Sequence, residues 1–459
     1  MSSENQNVST LLDGVKHVHF IGCGGAGMFP LVQILHAKGY VLSGSDVEET
    51  KITDSERAIG MTVSIGHDPA NLGDADLVVY SAAIHTDNVE RKEAVARGIR
   101  SVERSVLLGY VSSLYPKSIG VAGTHGKTTT TGLITDVLER SGKDPAAVIG
   151  GKLPLIGGYG KAGNSDTCVI EACEYSRTFL QLRPYIGVLL NVDNDHLEYF
   201  GSMENLKAAF RDFCELSQIV VYNIDDENSC EVVDGLDCEL VTFGIDATNA
   251  MYRAVNIAEW RPGFYGFDVY AKGEYFAHLK LGFPGYHNVY NALAMCACAV
   301  ILGCTATEIA TSASAFGGMG RRFEIKGTCN GAVIVDDYGH HPAEIAATLE
   351  TASKMNYKRI IAVHQPFTFS RTRNLMNEFV DVLNRADQVV LLPIMGSREV
   401  SDGTVHASDL AARLDNCILV DGLEESAQLI KAIGKEGDLV VCMSCGDLYK
   451  AADRMVELG

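Results

Sequence analysis

The chain has 459 residues, 47% of them hydrophobic and 21% charged, the balance of an ordinary globular protein with ample core and room for roughly three domains. A net charge of −20 argues against a non-specific nucleic-acid binder or a partner of anionic membranes, so an anionic substrate would need positive charge gathered locally. Met1 to Thr10 lacks a basic segment followed by an apolar one, and no apolar run reaches the ~20 residues of a membrane helix, so a cytoplasmic protein without membrane insertion is expected.

The first segment reads as a strand, His17 to Ile21, then a turn of the form Gly22-x-Gly24-x-x-Gly27. A helix follows over Met28 to Lys38, then a strand over Tyr40 to Ser43 that ends near Asp46. Asp76 to Ser81 is a further buried strand. The alternation predicts a parallel sheet with crossover helices, running out at a linker around Ser112 to Pro116.

The second segment starts with the end of a strand, Lys117 to Ala122, and the loop Gly123-Thr124-His125-Gly126-Lys127-Thr128, followed by helical periodicity over Thr129 to Arg140. Strands are expected at Thr167 to Ile170 and Ile186 to Leu190, and a helix over Glu204 to Leu216. From Leu236 to Leu281, short alternating runs broken by Gly and Asp suggest antiparallel strands at the edge of a larger α/β domain. Helices over Asn288 to Leu302 and Ala306 to Ala315 close it, and Gly317 to Gly320 is a second linker. Beyond it, strands at Ala332 to Val335, Arg359 to Val363, Gln388 to Leu392, Cys417 to Val420 and Leu439 to Cys442 alternate with helices. The expected fold is therefore α/β in three domains: Rossmann-like over 1–115, P-loop-type with extra antiparallel strands over 116–320, and Rossmann-like again over 321–459.

The thirteen cysteines sit in apolar runs such as Met295 to Cys298 and read as reduced, buried small hydrophobes. Cys442-x-x-Cys445 has no second pair or nearby His to complete a zinc site and reads as core strand and turn.

The loop at Gly123 to Thr128 lets backbone N–H groups and a helix start face phosphate oxygens, with Lys127 reaching terminal phosphates and the Thr128 hydroxyl on Mg²⁺. It is not the usual spacing, because Val121 stands where the first Gly would be. The Gly22/Gly24/Gly27 turn with Asp46 fits a dinucleotide fingerprint, but the pyrophosphate of a UDP-sugar would satisfy the same N–H groups. Glu171 ends a buried strand where a carboxylate helps hold Mg²⁺, and Asp195 and His196 follow another strand. Asp193 and Asp195 could equally be solvated turn residues or caps, and Glu174 is expected to face solvent or pair with Arg177. Asn288 and Asn291 share one face of a helix's first turn, where Asn288 could be a plain N-cap. Arg321-Arg322-Phe323-Glu324 meets the second linker, and Asp336 to Pro342 reads as a nucleotide-facing loop.

Taken in order, Gly22–Gly27 with Ser43 to Asp46, Gly123–Thr131, Glu171–Glu174, Asn191–His196, His287–Asn291, Arg321–Glu324 and Asp336–Pro342 resemble the ATP-dependent Mur ligases of peptidoglycan synthesis over essentially the whole chain. The resemblance implies that ATP phosphorylates the carboxylate of UDP-N-acetylmuramate and that the amine of L-alanine attacks the acyl phosphate. It implies an N-terminal domain for the UDP-sugar, a central one for ATP and a C-terminal one that brings the amino acid and completes the ATP site. It places Gly22, Gly24, Gly25, Ala26, Gly27, Met28, Ser45, Asp46, Ser81 and Arg371 on the UDP-sugar. Gly123, Thr124, His125, Gly126, Lys127, Thr128, Thr129, Asn288, Asn291, Arg322 and Asp337 fall to ATP, with His341 a further residue there. Thr128, Glu171 and His196 would ligate Mg²⁺, and Lys127, Glu171, His196 and Arg322 would carry catalysis. The chain departs from the family at Phe367 and Thr368, where relatives have His or Arg, at Val89, where Pro is usual, and at Cys173 and Tyr175. The alternatives are a ligase attaching a whole peptide to the same sugar in cell-wall recycling, an NAD-dependent dehydrogenase and a P-loop switch ATPase. A monomer or homodimer without nucleic acid is expected.

Overall fold

The computed structural model describes residues 10–195, 197–397 and 399–459, without the side chains of Leu197 and Glu198. The first sheet is built from β1 (His17–Ile21), β2 (Val41–Asp46), β3 (Thr62–Ile65), β4 (Leu77–Tyr80) and β5 (Arg100–Glu103), in the order β3-β2-β1-β4-β5. Every pairing is parallel, which is why Val18, Phe20, Leu77 and Val79 are fully buried between covering helices. The reversal of strand order falls between β1 and β4, and the turn Gly22–Gly27 leaves β1 there, the place where such sheets bind ligands.

The second sheet takes in β6 (Lys117–Ala122), β7 (Ala146–Leu153), β8 (Gly158–Lys161), β9 (Thr167–Glu171), β10 (Ile186–Leu189), β11 (Ile219–Asn223), β12 (Glu239–Gly244), β13 (Tyr252–Arg261), β14 (Phe264–Ala271) and β15 (Glu274–Lys280). Their order is β15-β14-β13-β12-β11-β10-β6-β9-β7-β8. β6 is flanked by β10 and β9, both parallel to it, so the phosphate loop leaves the middle of the sheet.

The expectation of antiparallel strands from Leu236 onward is corrected at its start. β12 runs parallel to β11 and to β13. The chain can turn back so sharply because the Asp225 carboxylate accepts the N–H groups of Ile245, Asp246 and Ala247, gathering the connection after β12. Only β13 to β15, joined by two-residue turns, form the expected meander. The helix Arg104–Ser113 also runs through Ser112 and Ser113, so those two residues are not linker.

The third sheet holds β16 (Glu324–Cys329), β17 (Ala332–Asp337), β18 (Arg359–His364), β19 (Gln388–Leu391), β20 (Cys417–Leu419) and β21 (Asp438–Met443), in the order β16-β17-β21-β18-β19-β20. It is parallel except for the β16–β17 hairpin. Three α/β sheets thus divide among two compact units. One holds the chain up to Val255 with Asp268–Ala277 and Tyr290–Ala313; the other holds Asn256–Phe267, His278–Val289 and Ser314–Gly459. Cys442 lies in β21 and Cys445 in the turn after it, both free thiols. Among the described residues no helix is long and apolar enough to cross a membrane.

Candidate active site

Two glycines shape the loop after β6. Gly123 has φ +138° and Gly126 φ +84°, backbone that L side chains rarely adopt. Space forbids a side chain as well: a Cβ would stand 2.9 Å from Leu190 Cβ at Gly123 and 2.6 Å from Asn291 Oδ1 at Gly126. The loop is then pinned by the segment after β10. Asn191 accepts the Thr124 N–H on its carbonyl (3.0 Å) and the His125 N–H on its side chain (2.8 Å), and its amide returns a bond to the His125 carbonyl (3.2 Å). The Thr124 hydroxyl accepts the Asp193 N–H at 2.9 Å, and the His125 ring lies 3.2 Å from the Asp193 carboxylate. Asn191, two residues beyond the end of β10, opens the run Asn191–His196, in which only Asp193, Asp195 and His196 have individual roles in the sequence reading.

The helix begins at Lys127, two residues earlier than expected. The Lys127 ammonium donates to the carbonyls of Gly123 (2.6 Å) and Thr124 (2.9 Å) and to the Glu174 carboxylate (3.0 Å). Burial works against its charge, but Glu174, Cys173 and Glu171 outweigh that and raise its pKa. The expectation that Glu174 faces solvent or pairs with Arg177 is therefore corrected. Its side chain is 2% exposed and bound to Lys127, while Ser176 and Arg177, at φ +57° and +55°, carry Arg177 off towards Asp212.

Beside this pair, the Thr128 hydroxyl donates to Glu171 Oε1 at 2.9 Å, and the Gly150 N–H to Glu171 Oε2 at 2.7 Å. A hydroxyl and a carboxylate in contact form an oxygen-rich corner suited to a hard divalent cation. The third expected ligand, His196, lies outside the described residues. Among the described residues no group of three or more His, Cys, Asp or Glu could hold a metal, so the corner is a partial donor set. Thr129 is buried in the first helical turn. Asn291 borders the loop at Gly126, and the Asn288 amide donates to the Pro284 carbonyl at 2.6 Å.

The turn after β1 is held from β2. Gly22 and Cys23 donate their N–H groups to the Ser45 carbonyl, and Gly24 donates to Asp46 Oδ2 at 2.8 Å. Among the described residues this leaves the N–H groups of Gly25, Ala26 and Gly27 as consecutive donors without a protein acceptor, a nest for an anion. The Met28 N–H closes back on Gly25, and Ser81 borders Gly22, where a Cβ would stand 3.2 Å away. Ser45 is a correction in part. Its hydroxyl is fully buried and donates to Glu90 (2.6 Å), because alternation along β2 puts Ser45 and Asp46 on opposite faces. Burial pushes the Glu90 carboxyl up, but bonds from His19, Ser45 and Asn71 overcome this and hold it at about 2.

In the second unit, Arg321 and Arg322 part company. Arg321, at φ +59°, donates to the carbonyls of Ser444 and Gly446 and pairs with Asp336, which makes it an anchor. Burial lifts Asp336 to about 7 against that pairing. Arg322 lies over the Tyr338 ring at 4.9 Å and only 4.0 Å from Glu344, a loosely held cation. Asp337 accepts from the Phe323 and Gly339 N–H groups and the Thr348 hydroxyl, so it fixes the loop that carries Arg322; burial raises its pKa, opposed by Arg322 itself. His341 caps the helix Pro342–Ser353. Arg371 stands on the short helix Phe369–Asn374, begun by Thr368 at φ +65°.

Family models match nearly the whole chain: the Mur ligase family catalytic domain at residues 17–115, the Mur ligase middle domain at 121–299 and the Mur ligase glutamate ligase domain at 321–446. The chain is 40% identical over 453 residues to the UDP-N-acetylmuramate–L-alanine ligase of Caldanaerobacter subterraneus subsp. tengcongensis, covering 97% of this chain and 98% of that protein. The crystal structure of the UDP-N-acetylmuramate-alanine ligase of Thermotoga maritima superposes with a TM-score of 0.82 at 28% identity, covering 96% and 98% of the two chains. A murein peptide ligase from Psychrobacter arcticus shares the fold at a TM-score of 0.74 and 23% identity, over 96% and 98%.

Proposed function

The chain belongs to the Mur ligase family, and from that premise we propose that it joins L-alanine to the carboxylate of UDP-N-acetylmuramate with the cleavage of ATP. Near full-length 40% identity to a ligase of that name supports the substrates. The observation that carries the chemistry is the Lys127–Glu174 and Thr128–Glu171 cluster on the loop after β6, in the same compact unit as the Gly25–Gly27 nest. An ATP user and a nucleotide-sugar holder combined in one unit match an acid–amine ligase and leave a dehydrogenase or a simple ATPase with one site unexplained.

A carboxylate oxygen of the muramyl group attacks the γ-phosphorus, and ADP leaves with the electron pair of the broken bond. The amine of L-alanine then attacks the acyl carbon, and inorganic phosphate leaves as the nitrogen gives up its proton. Such chemistry asks the protein for alignment and charge neutralisation more than for a covalent partner. Lys127 meets the phosphoryl group by exchanging one of its present oxygen partners for a phosphate oxygen. Gly123 to Thr129 wrap the phosphates, Asn288 and Asn291 hold the adenine, and Arg322, with Asp337 and His341 behind it, serves the nucleotide. Gly22 to Met28 with Asp46 and Ser81 take the sugar nucleotide, Ser45 acting through its carbonyl, and Arg371 meets a substrate phosphate. Thr128, Glu171 and His196 would hold Mg²⁺, which supplies charge neutralisation at the phosphates. The domain boundaries follow at 115 and 320, with the third domain bringing the amino acid. The enzyme works in the cytoplasm, as a monomer or homodimer, in peptidoglycan precursor synthesis.

Phosphate release measured with each substrate omitted in turn tests the reading. Release is expected only when ATP, UDP-N-acetylmuramate and L-alanine are all present; equal release without the sugar nucleotide and the amino acid would contradict it.

A further inference from the structure

Arg104 opens the helix Arg104–Ser113 directly after β5. A cation in a helix's first turn faces the positive end of the macrodipole, which disfavours it as a purely structural choice. Among the described residues its guanidinium makes no hydrogen bond and no ion pair, unlike the anchored Arg321. Burial pulls its pKa down, and Cys173, Glu103 and Glu171 restore it only in part. Its five N–H donors, partly exposed and without protein acceptors among the described residues, are left for solvent or a ligand.

The position of the guanidinium gives it a use. A Cβ on Gly27 would lie 3.5 Å from Arg104 Nη1 and 3.6 Å from Cζ, so the cation covers the end of the anion nest. Glu171, at the end of β9 and bound to Thr128, lies close enough to act on it electrostatically. The helix is fixed to the segment after Glu174. Gly109 passes the Gln181 carbonyl so closely that a Cβ would sit 2.4 Å from it, and the Ser112 hydroxyl accepts the Arg183 N–H at 3.0 Å. The helix that carries Arg104 is thus fixed, and the guanidinium borders Gly27 in the compact unit that also holds the phosphate loop.

We propose that Arg104 binds the reacting carboxylate of the sugar nucleotide and holds it between the Gly25–Gly27 nest and the phosphate loop. The inference rests on the ligase reading above. The nest already offers three N–H groups to a diphosphate, whereas the carboxylate must be brought within roughly 3–3.5 Å of the γ-phosphorus. A planar guanidinium grips a carboxylate through two parallel bonds, a geometry that an ammonium cannot supply.

The test compares two ligands that share the UDP and hexosamine parts, UDP-N-acetylmuramate and UDP-N-acetylglucosamine, of which only the first has the carboxylate. Arg104→Gln is expected to weaken UDP-N-acetylmuramate binding by about 10- to 100-fold, with UDP-N-acetylglucosamine binding unchanged within about twofold. Arg104→Lys should fall between the variant and wild type for the first ligand only. Equal losses for both ligands would assign Arg104 to the diphosphate or to folding, and no loss for UDP-N-acetylmuramate would remove it from the site; either overturns the proposal. Failure of the ligase reading is separately visible, since wild-type protein would then release no phosphate with UDP-N-acetylmuramate and L-alanine.

Discussion

Lys127→Ala is expected to lower turnover by at least a thousandfold while UDP-N-acetylmuramate binding stays within about twofold of wild type. Lys127 is the cation in direct contact with the loop's own carbonyls, so its removal takes away charge where the proposed mechanism transfers the phosphoryl group. The Gly22–Gly27 turn, the proposed sugar-nucleotide site, belongs to a different sheet and keeps its braces from Ser45 and Asp46. The variant has a second consequence. Glu174, 2% exposed, loses its counter-ion, and an orphaned buried charge costs about 3–5 kcal/mol. The double variant Lys127→Met with Glu174→Gln should therefore recover much of the thermal stability and none of the turnover. Turnover of Lys127→Ala within tenfold of wild type, or loss of sugar-nucleotide binding, would contradict the assignment.

Glu171→Gln should lower turnover by roughly a hundred- to a thousandfold and raise the Mg²⁺ concentration needed for half-maximal rate. The amide oxygen can still accept the Thr128 hydroxyl or the Gly150 N–H, both of which Glu171 now receives, so the loop keeps its shape. What is lost is the negative charge beside Thr128, on which a hard cation depends. A Mg²⁺ titration of initial rates checks this, and an unchanged Mg²⁺ requirement would remove Glu171 from the metal site.

Much of the fold could be read directly from residue patterns. β1, β6, β18 and β21 are apolar runs ended by Gly or polar residues, and the turns Gly22–Gly27 and Gly123–Gly126 lie where their glycines indicate. What stayed hidden depends on contacts distant in sequence. Parallel pairing of β12 and β13 relies on Asp225 collecting three N–H groups some twenty residues further on. The Glu174–Lys127 pair spans 47 positions, and the nearer Arg177 was the natural choice until two left-handed residues turned it aside. Arg104 lacked any motif, and Asn191, although it opens the run Asn191–His196, had no role of its own there; only the folded arrangement shows one covering Gly27 and the other bracing His125. Ser45 was legible in principle, since strand alternation alone separates it from Asp46. The third sheet's β16 was missed because its run, Glu324 to Cys329, holds Gly327 and two charges.

The central claim is that the loop after β6 drives amide formation through the sugar's own carboxylate. It is tested most directly by mass spectrometry of a reaction with ATP, equal L-alanine, glycine and L-serine, and UDP-N-acetylmuramate carrying oxygen-18 in its carboxylate. The predicted result is UDP-N-acetylmuramoyl-L-alanine as the main product, with one oxygen-18 transferred to the released phosphate. Unlabelled phosphate, or sugar nucleotide returned without an added amino acid, would contradict it.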